Sequence, residues 1–89
     1  FLVITVGSSL KMELTTLNAG DVPFSITQGF HSYFKVGDIH RTHVLGLEGV
    51  RYIDKTADSA VSEQDGQVSI DGEVDRVYEG VEHDLIIDD

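Results

Sequence analysis

The chain has 89 residues, a formal net charge of −10 and no cysteine. This length suits a single small domain, residues 1–89. Without cysteine there is neither a disulfide framework nor a thiolate metal site, so a secreted, disulfide-stapled scaffold is not expected and the predicted location is cytoplasmic. The acidic balance argues against nucleic acid or an anionic membrane as partners, because both require clustered Lys and Arg. No stretch approaches the roughly 20 apolar residues of a membrane helix.

The first 17 residues are predicted to form a hairpin. Residues 1–6 and 10–17 flank the small-residue turn Gly7-Ser8-Ser9. In the second arm, apolar residues alternate with polar ones, which predicts one buried and one exposed face.

Residues 24–39 are predicted to form one long strand followed by a turn. The even-numbered positions are mostly apolar and include Phe24, Phe30 and Phe34, whereas the odd-numbered positions include His31 and Tyr33. Because a period of two places these sets on opposite faces of a sheet, the second face is predicted to line a groove.

The remaining residues favour short strands and turns. Residues 43–47 and 50–54 are predicted strands around Glu48-Gly49, and 55–66 are a surface loop or a short helical turn. Residues 67–70 and 73–78 are a predicted hairpin around Asp71-Gly72, and 85–87 are a last strand. The predicted class is therefore all-β with antiparallel sheets, in a sandwich or part of one. Such a short chain leaves sheet edges exposed, which favours a homo-oligomer.

Two residues are the main candidates for chemistry. His31 can act as a proton donor, because an imidazole titrates near neutral pH; the alternative is a histidine that is only hydrogen-bonded on a sheet surface. Asp75 can accept hydrogen bonds from sugar hydroxyls; the alternative is a surface pair with Arg76.

The other histidines are not predicted to form a metal site. His40 and His43 are spaced so that an extended chain points their rings to opposite sides, and no third ligand is evident. His83 lies between Glu82 and Asp84, so its proton is expected to be held by these carboxylates.

Three segments together resemble the hexose-6-phosphate mutarotases, the glucose-6-phosphate 1-epimerase branch of the aldose 1-epimerase family. The segments are residues 23–39, which include His-Ser-Tyr-Phe, residues 52–55, and residues 71–78, which include Asp-Arg-Val-Tyr. The similarity runs from about residue 10 to residue 78 and corresponds to the middle of the longer family chain.

The resemblance implies a galactose-mutarotase-like antiparallel β-sandwich that interconverts the α and β anomers of a hexose or hexose phosphate. It assigns His31 as the catalytic acid and Asp75 as a substrate-binding residue, with no metal and no organic cofactor. The family's glutamate base has no counterpart here, since Glu79 and Glu82 do not lie in its motif. Full activity is therefore not expected of these 89 residues alone. One alternative is a non-catalytic structural or self-associating β module, and another is a sugar-binding module without turnover.

Overall fold

The computed structural model describes all 89 residues and contains eight strands, one short 3₁₀ helix and no α-helix. The chain divides into two compact units, Phe1–Ser32 and Tyr33–Asp89. The elements are β1 (Leu2–Val6), β2 (Leu10–Leu14), the 3₁₀ helix (Ile39–Arg41), β3 (His43–Leu45), β4 (Arg51–Asp54), β5 (Ala60–Glu63), β6 (Val68–Ser69), β7 (Arg76–Tyr78) and β8 (Ile86–Asp88). All strand pairs are antiparallel, so the predicted all-β class is confirmed. That residues 1–89 form a single domain stays a prediction.

The first unit contains the predicted hairpin. β1 pairs with β2 from Leu2 opposite Leu14 to Val6 opposite Leu10. The ladder continues one step further, since the Thr15 amide donates to the Phe1 carbonyl at 2.8 Å. The expected half-burial of the second arm is wrong: every residue of both strands is exposed.

The long strand predicted over residues 24–39 is wrong. Residues 23–36 form no regular secondary structure, and the turn of the 3₁₀ helix begins at Ile39. The alternation of apolar and polar residues indicates a preference for extended backbone. A strand also needs a neighbouring strand that donates and accepts its backbone hydrogen bonds. None of the strand pairs involves this segment, and Phe24, Phe30 and Phe34 remain 56–69% exposed.

The second unit contains two three-stranded sheets. Their strand orders are β6-β3-β8 and β5-β4-β7. β5 falls within residues 55–66, where a loop or helical turn was expected. β8 confirms the predicted last strand.

The hairpin predicted around Asp71-Gly72 is also wrong. Both of its strands exist, but β6 pairs with β3 and β7 pairs with β4. The type I′ turn that Asp-Gly favours needs positive φ at both central residues, whereas only Gly72 has it here, at 129°. The chain therefore crosses from one sheet to the other at this point.

The core of the second unit is small. Leu47 and Val68 are its buried apolar residues, at 6% and 5% exposure, and Thr42 and Gln64 are buried polar residues. Thr42 Oγ1 donates to the carbonyl oxygen of Asp38 at 2.7 Å, so its hydroxyl is satisfied. No helix of the structure has the length and apolar character needed to cross a membrane.

Candidate functional site

His31 lies in the first unit, in the segment without regular structure. Its side chain is exposed. Because no strand forms there, the strand alternation that was expected to line a groove does not position this imidazole. The ring is exposed to solvent and therefore accessible from solution.

Asp75 lies in the second unit, immediately before β7. The Lys55 amide donates to the Asp75 carbonyl at 2.8 Å, which extends the β4–β7 ladder one residue beyond the pair Asp54–Arg76. Consecutive residues of an extended chain point to opposite faces, so the Asp75 carboxylate lies on the face opposite Arg76. Asp75 is exposed, and its backbone is fixed by the sheet. The two oxygens of this exposed carboxylate are both open to hydrogen-bond donors.

A hydrogen-bond network holds the strand that follows Asp75. Arg76 Nη1 donates to Gln64 Oε1 at 3.1 Å, and the Tyr78 hydroxyl donates to the same oxygen at 2.5 Å. Gln64 is 8% exposed, and its Nε2 donates to the Gln67 carbonyl at 3.3 Å. One buried side chain therefore ties β7 to the end of β5. We refer to Gln64, Arg76 and Tyr78 as the Gln64 network.

Tyr52 on β4 lies beside two members of the Gln64 network, Arg76 and Tyr78. The Arg76 guanidinium carbon lies 4.6 Å from the centre of the Tyr52 ring, a cation–π geometry. The Tyr52 and Tyr78 rings are 5.1 Å apart and tilted by 46°, as their opposed positions in the register allow. Arg76 Nη1 also donates to the Tyr78 hydroxyl at 3.4 Å, and this hydrogen bond raises the pKa of Arg76.

Asp54 lies at the end of β4, opposite Arg76. Its Oδ1 accepts hydrogen bonds from the Thr56 hydroxyl at 2.6 Å and from the Thr56 amide at 2.9 Å. These two bonds, the hydroxyl first, lower the pKa of Asp54. The Asp54 carboxylate is therefore used in a local turn and is less available for a ligand than that of Asp75.

The second unit also contains an open cleft of about 680 Å³, which sequence reasoning did not predict. It is lined by Asp38, His40, Arg41, His43, Asp88 and Asp89. The Asp89 carboxylate accepts from the Gly37 amide, at 2.9 and 3.1 Å, so it is already engaged. No group of three or more His, Cys, Asp or Glu side chains is arranged to hold a metal ion.

The remaining histidines make local contacts. His43 Nδ1 lies 3.2 Å from Ser69 Oγ, across the β3–β6 pair. His83 was expected to interact with Glu82 and Asp84, but its Nε2 hydrogen-bonds to the carbonyl oxygen of Gly46 instead. His83 lies at a bend of the chain, where its ring reaches the β3–β4 connection rather than its two sequence neighbours.

Comparisons with known proteins identify the family. The family model described as aldose 1-epimerase matches residues 2–89. Three curated relatives are each named "Putative glucose-6-phosphate 1-epimerase". The protein from Cenchrus ciliaris is 38% identical over 79% of this chain, and those from Salmonella typhimurium (strain LT2) and Escherichia coli (strain K12) are 38% and 39% identical over 94% of it.

The chain spans 22–27% of the length of these relatives, about a quarter. No solved structure gives a significant match. The antiparallel strands are consistent with the β-sandwich of the family. The resemblance seen in the sequence is therefore confirmed, and the chain belongs to the aldose 1-epimerase family.

Proposed function

We propose that this chain contributes to the interconversion of hexose-phosphate anomers, with Asp75 as a sugar-binding residue and His31 as a proton donor. The observation that carries the proposal is the family match over residues 2–89, together with relatives named as glucose-6-phosphate 1-epimerases. In such a reaction an acid protonates the ring oxygen while a base takes the proton of the anomeric hydroxyl. The ring opens, and closure on the other face of the carbonyl gives the second anomer.

The role of Asp75 is supported by how the second unit holds it. Lys55 fixes its backbone, and the Gln64 network fixes Arg76, the next residue. Preorganised acceptors bind better than mobile ones, because less side-chain and loop freedom is lost on binding. The backbone that carries the exposed carboxylate is therefore ordered before a sugar binds, and only the side-chain torsions remain to be fixed.

The role of His31 is that of the general acid. Its ring is exposed and accessible to a sugar. A general acid contributes typically about 10²- to 10⁴-fold when it is positioned on its substrate, so His31, which no strand positions, is expected to contribute less than this factor. Neither Glu79 nor Glu82 lies in the family's base motif. We expect anomer exchange above the buffer rate, and faster exchange when a carboxylate such as acetate is supplied from solution as a base.

Sugar binding is tested by titrating glucose 6-phosphate into ¹⁵N-labelled chain and following amide shifts by NMR. We expect shifts at and around Asp75 that are lost in Asp75→Asn, since the amide loses one acceptor oxygen and the charge. The matched control is Asp71→Asn, which alters another exposed aspartate four residues away. Equal binding by Asp75→Asn and the wild-type chain would remove Asp75 from the sugar site.

A second candidate function is a sugar-binding β module without turnover. The observation that favours it is the exposed carboxylate of Asp75, whose backbone is held by the Lys55 amide without any contribution from His31. The two functions differ in one result: the module binds glucose 6-phosphate but shows no His31-dependent exchange even with acetate present.

A further inference from the structure

Lys55 lies directly across the sheet from Asp75. Asp54 is opposite Arg76 in the register of β4 and β7, and the Lys55 amide donates to the Asp75 carbonyl at 2.8 Å, so these two residues form the next opposed pair. Opposed residues of an antiparallel pair point to the same face, and their Cα atoms are about 5.5 Å apart where they share backbone hydrogen bonds. The Lys55 side chain therefore extends from the same face as the Asp75 carboxylate.

The backbone of Lys55 is held on both sides. Its amide is bonded to Asp75, and the turn that follows is closed by Asp54 Oδ1, which accepts from the Thr56 amide at 2.9 Å. The Lys55 side chain is exposed. The stem of this cation is thus fixed at its base, whereas its ammonium group is accessible from solution.

The Lys55 ammonium is not neutralised by a carboxylate. Lys11 and Glu13, in the first unit, form the one ion pair of the structure. Lys55 and Asp75 therefore share a face without being ion-paired to each other, and both charges can be used by a ligand.

The other two cations of this sheet are less suited to an anion bound near Asp75. Arg76 lies on the opposite face, where the Gln64 network and a tyrosine ring hold its guanidinium. Arg51 lies opposite Glu63 on β5, and its carbonyl accepts from the Glu79 amide on the other side, so two acidic residues flank it.

Charge makes such a cation necessary for a phosphorylated ligand. Residues 33–89 contain fourteen acidic and five basic side chains, a net charge of −9. A phosphate group carries about two negative charges at neutral pH. Its repulsion by the Asp75 carboxylate has to be offset by a cation nearby, because salt screens charges beyond about 8 Å. Lys55 is the base placed opposite Asp75.

We propose that Lys55 binds the phosphate group of a hexose phosphate whose hydroxyl groups are bound by Asp75. This role rests on the proposed sugar binding at Asp75 and adds the residue that distinguishes a phosphorylated hexose from a free one. Lysine binds phosphate as a point charge on a flexible four-carbon stem. The ammonium and the carboxylate of an opposed pair can therefore contact the two ends of one hexose phosphate.

The alternative is a structural pair, in which Lys55 only stabilises the sheet through its charge opposite Asp75. Removing the ammonium would then affect free and phosphorylated hexose alike, because neither ligand contacts it. The ratio of the two affinities separates this alternative from the proposal.

The test compares the dissociation constants of glucose 6-phosphate and glucose, measured by NMR titration of the ¹⁵N-labelled full chain at low ionic strength. In Lys55→Met the affinity for glucose 6-phosphate is expected to fall roughly two- to fivefold, the range of an exposed ion pair, with the affinity for glucose unchanged. Lys55→Arg keeps the charge and is expected to bind both ligands as the wild type does. The matched control is Lys35→Met, which removes the same charge from another exposed position of the second unit and is expected to change neither affinity.

The outcomes separate this proposal from the one on which it rests. An unchanged ratio of the two affinities in Lys55→Met, while Asp75→Asn still weakens binding, would refute the phosphate contact alone. An equal loss of glucose 6-phosphate affinity in Lys35→Met would assign the effect to overall charge and would also refute it. If the wild-type chain binds neither ligand, or binds both no better than Asp75→Asn does, the sugar-binding role of Asp75 fails, and the role of Lys55 fails with it.

Discussion

The Gln64 network predicts a large loss of stability when its shared acceptor is removed. Gln64→Leu keeps a side chain of similar size but deletes the oxygen that serves Arg76 and Tyr78. A hydrogen bond to a charged donor contributes about 1.5–3 kcal/mol and a neutral one about 1 kcal/mol. Arg76 and Tyr78 are half-buried, so water replaces part of what they lose. We therefore expect a loss somewhat below the sum of the two bonds, about 2 kcal/mol.

This change is measured by urea or thermal unfolding of the full chain, followed by circular dichroism. For a chain of 60–100 residues, 2 kcal/mol corresponds to a drop in Tm of about 8–16 °C. The matched control is Gln67→Leu. Gln67 is exposed and joins the network only through its backbone carbonyl, so this variant is expected to stay within about 0.5 kcal/mol of wild type.

The two glutamine variants together decide whether the network stabilises the second unit. If Gln64→Leu and Gln67→Leu unfold at the same midpoint, the hydrogen bonds of Gln64 contribute nothing measurable. The account of how Asp75 is held in place would then rest on the Lys55 amide alone.

Two further changes test local features of the second unit. Gly46→Ala should cost roughly 1–3 kcal/mol in unfolding free energy, because Gly46 has φ of 104° and an added Cβ would lie 3.0 Å from the Asp84 carbonyl oxygen. Gly29→Ala, where a Cβ meets no atom within 4 Å, is the control, and equal urea midpoints would contradict this reasoning. Thr56→Val should raise the pKa of Asp54 toward its ordinary value of 3.8, because the hydroxyl that donates to Asp54 Oδ1 is lost, whereas Thr56→Ser should not. A ¹³C titration of the Asp54 carboxyl group measures the pKa in both variants. An unchanged pKa in Thr56→Val would refute the role of the hydroxyl.

The pH dependence of the Asp54 turn has a definite sign. Its folded-state pKa lies below the ordinary value, so its contribution to stability is present above the unfolded-state pKa. The contribution is lost as the pH falls through the folded-state pKa. Acid should therefore weaken this turn, and Thr56→Val should reduce that sensitivity.

The sequence predicted features that depend on neighbouring residues. The hairpin of β1 and β2 needs only alternation and a short turn, and both are visible in residues 1–14. Strand pairing over longer distances was not predictable in the same way. The pairing of Val44 with Val68 and of Ile53 with Val77 depends on which strands meet, and a period of two carries no information on that choice.

In the candidate site too, local sequence features were predictable, whereas contacts between distant residues were not. Asp75 was predicted from a motif that the chain shares with a family. The structure adds the hydrogen bond from the Lys55 amide, which holds the Asp75 backbone. The burial of Gln64 was missed because glutamine is usually exposed, and its two donors lie 12 and 14 residues further along the chain. The phenylalanines of residues 24–34 favour a strand, yet no neighbouring strand pairs with them, so the local preference alone did not decide the structure.

The central claim is that His31 donates a proton in anomer interconversion. Its most direct test is exchange NMR between the α and β anomers of glucose 6-phosphate, with galactose run in parallel, in the presence of acetate. We expect exchange faster than the same buffer without protein, reduced to the buffer rate in His31→Ala and unchanged in His40→Ala, which alters another exposed histidine. Exchange at the buffer rate with the wild-type chain, or an equal rate in His31→Ala, would contradict the claim.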